Sequence, residues 1–90
     1  MSSHVRVASG LRDRLEQKYL EQKRERDDLC RYLAGWCGIG IAPGDDPFDV
    51  FDACKEAAEV CQDAEKMKTV DRINNYTLDM RTIEELMRSA

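Results

Sequence analysis

The chain has 90 residues, enough for one small domain, and its composition is 42% hydrophobic and 36% charged. Helix-forming residues are abundant and β-branched residues are few, which favours an all-α fold. The net charge of −4 argues against nonspecific binding to nucleic acid, and no stretch approaches the roughly 18 apolar residues that cross a membrane. The first ten residues also lack the apolar segment of a secretory signal, so we expect a cytoplasmic protein.

The first predicted element is a helix over about 10–36, preceded by a flexible arm over 1–9. Leu11, Leu15 and Tyr19 recur at helical spacing, and the apolar stripe resumes at Leu29. The stretch between them, 21–28, contains no apolar residue. It is still compatible with a helix because Glu, Gln, Lys and Arg are good helix formers. We expect this polar turn to project beyond a small core.

A loop over 37–46 follows, and a second helix is predicted over about 47–68. The glycines at 35, 38 and 40 are typical of a helix end, since glycine adopts the left-handed conformation that closes many helices. Asp46 and Pro47 form a strong start signal, because aspartate caps the first turn and proline fits its first position.

The third predicted element is a helix over about 70–88. An apolar seam with heptad spacing runs along it, formed by Ile73, Tyr76, Met80, Ile83 and Met87. Asn74 and Asn75 are the weakest helix formers in this half, so a break within 69–76 is expected, and one continuous helix is the alternative. The predicted architecture for 10–90 is therefore an antiparallel helical hairpin extended by a third helix or a long helix continuation, as a small helical bundle or short coiled coil.

Four cysteines form two pairs, each separated by six residues. In an antiparallel hairpin Cys37 faces Cys54 and Cys30 faces Cys61, so two disulfides are geometrically possible if the facing Cα atoms approach within about 7 Å. Reduced cysteines acting as small buried residues are the simpler interpretation. The two pairs lie too far apart to converge on one zinc ion. We therefore expect no metal, and both thiol states remain open.

This symmetric arrangement is similar to the twin-cysteine helical hairpins of the mitochondrial intermembrane space, although that family places nine residues inside each pair and this chain six. The similarity covers about 35 residues. It implies an oxidising compartment, such as that intermembrane space, if the cysteines are paired.

No motif in the chain predicts catalysis. Gly38 and Gly40 follow a helix, whereas a dinucleotide-binding loop follows a strand. The aspartates of 45–52 lack calcium-loop spacing, and the one histidine, His4, lies in the predicted arm. We therefore expect no enzyme activity, no catalytic residue and no cofactor.

The remaining features favour a protein-binding role. Apolar residues around the loop and along the C-terminal seam are candidate contacts with another protein or with a second copy. The candidate partner-binding residues are Trp36, Ile39, Ile41, Phe48, Tyr76, Met80, Ile83 and Met87. The predicted function is a non-enzymatic interaction module, such as a small accessory or adaptor subunit. The alternatives are a regulator or inhibitor that occludes a target protein and, less favoured, a nucleic-acid binder that uses the basic first helix.

Overall fold

The computed structural model describes the backbone of residues 2–89 and the side chains of residues 10–89. This part of the chain folds into three helices: α1 (Ser2–Cys37), α2 (Phe51–Cys61) and α3 (Ala64–Ser89). A short 3-10 turn, Pro47–Val50, leads into α2. Since the described residues form helices and no strands, the predicted all-α class and small helical bundle are confirmed.

α1 begins earlier than the sequence predicts. It starts at Ser2 rather than near residue 10, and its backbone continues through Gly10. No proline occurs in this stretch, and one glycine costs a helix only about 1 kcal/mol, so nothing forces a start at 10. The side chains of the predicted flexible arm, 1–9, lie outside the described residues, and its flexibility stays a prediction.

The loop between α1 and α2 closes with two glycines in the left-handed region. Gly38 has φ +73° and Gly44 has φ +91°, backbone conformations that residues with a side chain rarely adopt. Asp46 then caps the next turn, because its carboxylate accepts a hydrogen bond from the Phe48 amide at 3.0 Å. Pro47 occupies the first position of that turn and is buried.

The second half of the chain divides at residues 62–63, not within 69–76. Gln62 adopts a left-handed conformation and ends α2, and the Asp63 carboxylate accepts from the Lys66 amide at 3.1 Å at the start of α3. The expected break at Asn74 and Asn75 is absent, and both residues lie exposed within α3. Their weak helix propensity, well under 1 kcal/mol each, is outweighed by the packing of α3 on α1.

α1 and α3 form a long antiparallel pair. Three cross-helix contacts fix their register: Tyr32 with Lys66, Glu25 with Tyr76 and Tyr19 with Glu84. In these three pairs the residue number increases along α3 while that of the contacted residue on α1 decreases, so the two helices are antiparallel. The molecule is correspondingly elongated, with extents of 58 × 27 × 16 Å.

α2 packs against only one end of this pair. The main core lies there, and its members come from all three helices: Cys30, Leu33, Ala34, Phe51, Cys54, Ala58, Val70 and Ile73. We refer to residues 27–79 as the three-helix end. Residues 10–26 and 80–89 form the two-helix end, where α1 and α3 pack on each other and only the boundary residues Arg26 and Arg81 lie near the residues that open α2.

Candidate functional site

The C-terminal seam is part of the hairpin's own packing. Met80 and Ile83 are buried, and Tyr76 and Met87 are half-buried. Tyr76 also donates a hydrogen bond to Glu25 of α1 at 3.3 Å. The seam therefore packs on α1, which runs alongside it, rather than on another protein or a second copy. Met80 and Ile83 are corrected from partner-binding candidates to internal contacts.

The polar middle of α1 does not project beyond the core. Arg26 is only 7% exposed, and its guanidinium donates to the Asp27 carboxylate from Nε at 3.2 Å and from Nη2 at 3.1 Å. The same guanidinium lies 4.2 Å from the Phe48 ring centroid, a cation–π contact. Nη2 is also 4.0 Å from the Asp46 carboxylate. Arg26 thus ties α1 to the residues that open the second helical segment, and it is withdrawn from any nucleic-acid surface.

Sequence reasoning missed Arg26 although a signal was present. Alternate steps of four and three residues run through the polar stretch without interruption, through Leu15, Tyr19, Gln22, Arg26, Leu29, Leu33 and Trp36. This is the heptad spacing of a helix that faces a partner along its whole length. Gln22, the neighbouring polar residue in this series, has its Oε1 atom buried without a hydrogen-bond partner.

The predicted docking residues near the loop are only partly covered. Trp36, Ile39 and Ile41 pack against the core cluster and remain partly exposed. Phe48 is held more firmly, since its ring stacks on Phe51 with centroids 5.3 Å apart. Tyr32 lies one helical turn before Trp36 and is 50% exposed. We call the surface formed by Tyr32, Trp36, Ile39 and Ile41 the bend surface.

Lys66 holds the two aromatic residues of the bend surface. Its ammonium donates to the Tyr32 hydroxyl at 2.8 Å and lies 5.0 Å from the Tyr32 ring centroid and 5.6 Å from that of Trp36. The lysine is itself buried. The hydrogen bond that Lys66 donates to Tyr32 is the main cause that raises the pKa of Lys66 above its ordinary value. Lys66 therefore stays charged at neutral pH and orients both rings.

The four cysteines are free thiols in the structure, and they differ in exposure. Cys37 and Cys54, one of the two predicted pairs, are neighbours, but Cys30 lies beside Cys54 rather than Cys61. Cys61 is exposed at the last residue of α2. Burial raises the pKa of Cys30 to about 12. Burial, followed by hydrogen bonding with the Cys37 thiol, raises the pKa of Cys54 to about 11. Both core thiols thus resist ionisation, which lowers their reactivity.

A groove runs between α2 and α3 along the three-helix end and reaches Arg81 at the edge of the two-helix end. One hollow of about 370 Å³ is lined by residues that include Phe48, Leu78 and Arg81. A second hollow of about 190 Å³ is lined by residues that include Glu59, Met67 and Asp71. The two hollows share Lys55 and Asn74, so they form one continuous depression, which we call the α2/α3 groove.

No group of three or more His, Cys, Asp or Glu side chains among the described residues is placed to hold a metal ion. None of the helices described is both long and apolar enough to cross a membrane.

Comparison of the chain with protein-family models, with curated proteins and with solved structures found no match.

Proposed function

We propose that the protein is a non-enzymatic helical protein–protein interaction module, a small accessory or adaptor subunit of a larger complex, and that its partner docks on the bend surface. The observation that carries this proposal is the exposed Tyr32 ring, which lies one turn from Trp36 and is oriented by Lys66.

The chemistry of this cluster suits an interface centre. Tyrosine and tryptophan dominate the binding energy of many interfaces because each buries a large rigid area with few rotatable bonds. Here Lys66 limits the motion of both rings before a partner arrives, which reduces the entropy lost on binding. Ile39 and Ile41 extend the apolar area from the adjoining loop. The expected partner is a protein surface that presents apolar side chains between polar ones.

The test compares partner capture by the wild-type chain with capture by Tyr32→Ala. The partner is the protein that co-purifies with the tagged wild-type chain from its native cells and is then purified for direct titration. We expect Tyr32→Ala to weaken the titrated affinity by about 2 kcal/mol, roughly thirtyfold, as for a central interface aromatic.

Leu20→Ala is the matched control, since Leu20 is equally exposed on the same helix but lies at the two-helix end. The bend surface is excluded as the docking site if Tyr32→Ala and Leu20→Ala bind the purified partner with equal affinity. Circular dichroism of each variant establishes that its helices are intact.

We further propose that the protein works in a reducing compartment such as the cytoplasm. The poorly ionised thiols of Cys30 and Cys54, both in the core, support this proposal because they act as small apolar residues there. Alkylation of the unreduced protein isolated from its cells, after denaturation, is expected to label four cysteines. Labelling of only two or none would indicate disulfides and an oxidising compartment.

A further inference from the structure

The α2/α3 groove carries an inference that is independent of the bend surface, with which it shares no residue. Leu78 is 56% exposed at one end of the groove, and Met67 is 42% exposed at the other. On α3 these residues are separated by about 16 Å, at 1.5 Å per residue. Exposed large apolar residues at both ends of one depression mark a surface that gains free energy when it is covered.

The α3 side of the groove carries opposite charge at its two ends, while Asp52 of α2 lines the hollow at the Arg81 end. Arg81 lies beside Leu78 at one end, whereas Glu59 and Asp71 lie beside Met67 at the other. The shared residues Lys55 and Asn74 mark the middle. Along the α3 side of the groove the charge therefore reverses about a central point.

A surface whose charge reverses about its centre is complementary to a copy of itself turned through 180°. In a two-fold symmetric contact, if a first residue of one copy contacts a second residue of the other, the same pair also meets with the copies exchanged. Each favourable contact therefore occurs twice. We propose that the protein forms a two-fold symmetric dimer in which the α2/α3 grooves of two copies pack antiparallel, with Arg81 of each copy against Glu59 and Asp71 of the other.

The position of the two-fold axis follows from the groove's centre. With the axis near Asn74, Leu78 of one copy lies over Val70 of the other, and Arg81 lies over Met67 at the acidic end. Each copy then covers both exposed apolar residues of its mate. Asp52, exposed one turn from Lys55, lines the hollow at the Arg81 end, from which it offsets the approach of the two Lys55 ammonium groups.

The experiment measures molecular mass by sedimentation of the full chain across about 1 to 500 µM at low salt. The wild type is expected to change from 10.3 kDa toward twice that mass as its concentration rises. Arg81→Glu and Asp71→Arg, tested singly, are each expected to weaken dimerisation by about tenfold or more, because each places like charges in contact at two symmetric points.

The decisive variant carries both changes, Arg81→Glu and Asp71→Arg, in one chain. It restores opposite charges between positions 81 and 71 across the two-fold axis and is expected to dimerise more tightly than either single variant, while Glu59, which then faces a glutamate, keeps it weaker than the wild type. A mixture of the two single variants is likewise expected to dimerise more tightly than either variant alone, because in the mixed dimer the glutamate introduced at position 81 faces the arginine introduced at position 71, and the native Arg81 faces the native Asp71.

Arg72→Glu is the matched control on the same helix, because Arg72 lines a different hollow with Asn75, Tyr76 and Asp79. It is expected to leave the wild-type dimerisation constant unchanged. A wild type that stays monomeric over the whole range overturns the proposal. So does a dimer that Arg81→Glu does not weaken, or one that the double variant fails to restore, since such a dimer uses another face. None of these outcomes changes the affinity measured in the bend-surface titration, so the two proposals can fail independently.

Discussion

The two ends of the hairpin bury their apolar residues to different extents, because one end has three helices and the other has two. The three-helix end buries residues from every helix, including Leu33 and Ile73, which are fully inaccessible to solvent. The two-helix end buries only Met80 and Ile83 among its apolar residues, and Leu11, Leu20 and Leu86 stay about half exposed. Two helices alone cannot enclose a core, because each apolar stripe has a neighbour on one side only.

Charge divides along the same boundary. Residues 27–79 carry five Lys and Arg against twelve Asp and Glu, a net charge of −7. Residues 10–26 and 80–89 carry eight against six, a net charge of +2. The end that holds the core is thus the acidic one, and Arg26 lies at the junction. Stability is thus concentrated at the three-helix end, and the two-helix end depends on the continuity of α1 and α3.

The largest expected effect tests where the stability resides. Leu33→Ala removes a fully buried side chain from the three-helix end and is expected to lower the free energy of unfolding by about 3 kcal/mol, from lost burial and the cavity left behind. Urea denaturation followed by circular dichroism measures the change. Leu20→Ala, at the two-helix end, is expected to cost less than about 0.5 kcal/mol. Equal losses in the two variants would contradict the contrast between the ends.

The second largest expected effect tests the junction between the two ends, where Arg26 lies. Arg26→Ala removes both the stacking on Phe48 and the partner of Asp27, and we expect it to cost about 2 kcal/mol. Arg26→Met keeps the apolar packing on Phe48 and is expected to recover about half of that loss. Arg24→Ala, an exposed change on the same helix, is the control and should cost less than about 0.5 kcal/mol. A loss no larger than the control's would show that Arg26 does not hold the junction.

A smaller effect, resolved by pH, tests the thiols of the three-helix end. The pKa values of Cys30 and Cys54 are raised by folding to about 12 and about 11, so the unfolded chain loses its thiol protons first. The stability from keeping these thiols neutral is complete below their ordinary pKa of about 8.5 and declines as pH rises toward the folded values. Between pH 9 and 10 we expect a loss of about 1 kcal/mol per thiol.

Urea denaturation of the reduced protein at each pH measures this loss. In Cys54→Ala the decline between pH 9 and 10 should be about half that of the wild type, whereas Cys61→Ala, which changes an exposed thiol, should match the wild type. A decline that is the same in all three proteins would show that the buried thiols are not its source.

Much of the fold follows from local sequence signals. The scarcity of β-branched residues predicts the all-α class, and the seam through Ile73 and Met80 predicts a helix with one apolar face. These signals are local, because they depend on residues within a few turns of one another. The point at which a helix breaks depends instead on contacts between residues that are distant in the sequence. Asn74 stays helical because α3 packs on α1, a contact between residues about 50 positions apart in sequence.

The candidate sites were harder to predict for the same reason. Trp36 and its neighbouring isoleucines stand out by composition, but Lys66 does not, since one lysine in a charged chain carries no signal of its own. Its importance comes from contacts with Tyr32 and Trp36, both on another helix. The burial of Arg26 is not predicted from the sequence, because charged residues usually face water.

The turn between α2 and α3 shows that this chain is not at its stability optimum. Gln62 holds a left-handed conformation, φ 51° and ψ 37°, that costs a residue with a side chain roughly 1 kcal/mol and costs glycine almost nothing. Gln62→Gly should therefore make the protein more thermostable, even though glycine gives the unfolded chain more freedom. An engineer who wanted a sturdier scaffold would begin at this corner, which lies outside both the bend surface and the α2/α3 groove.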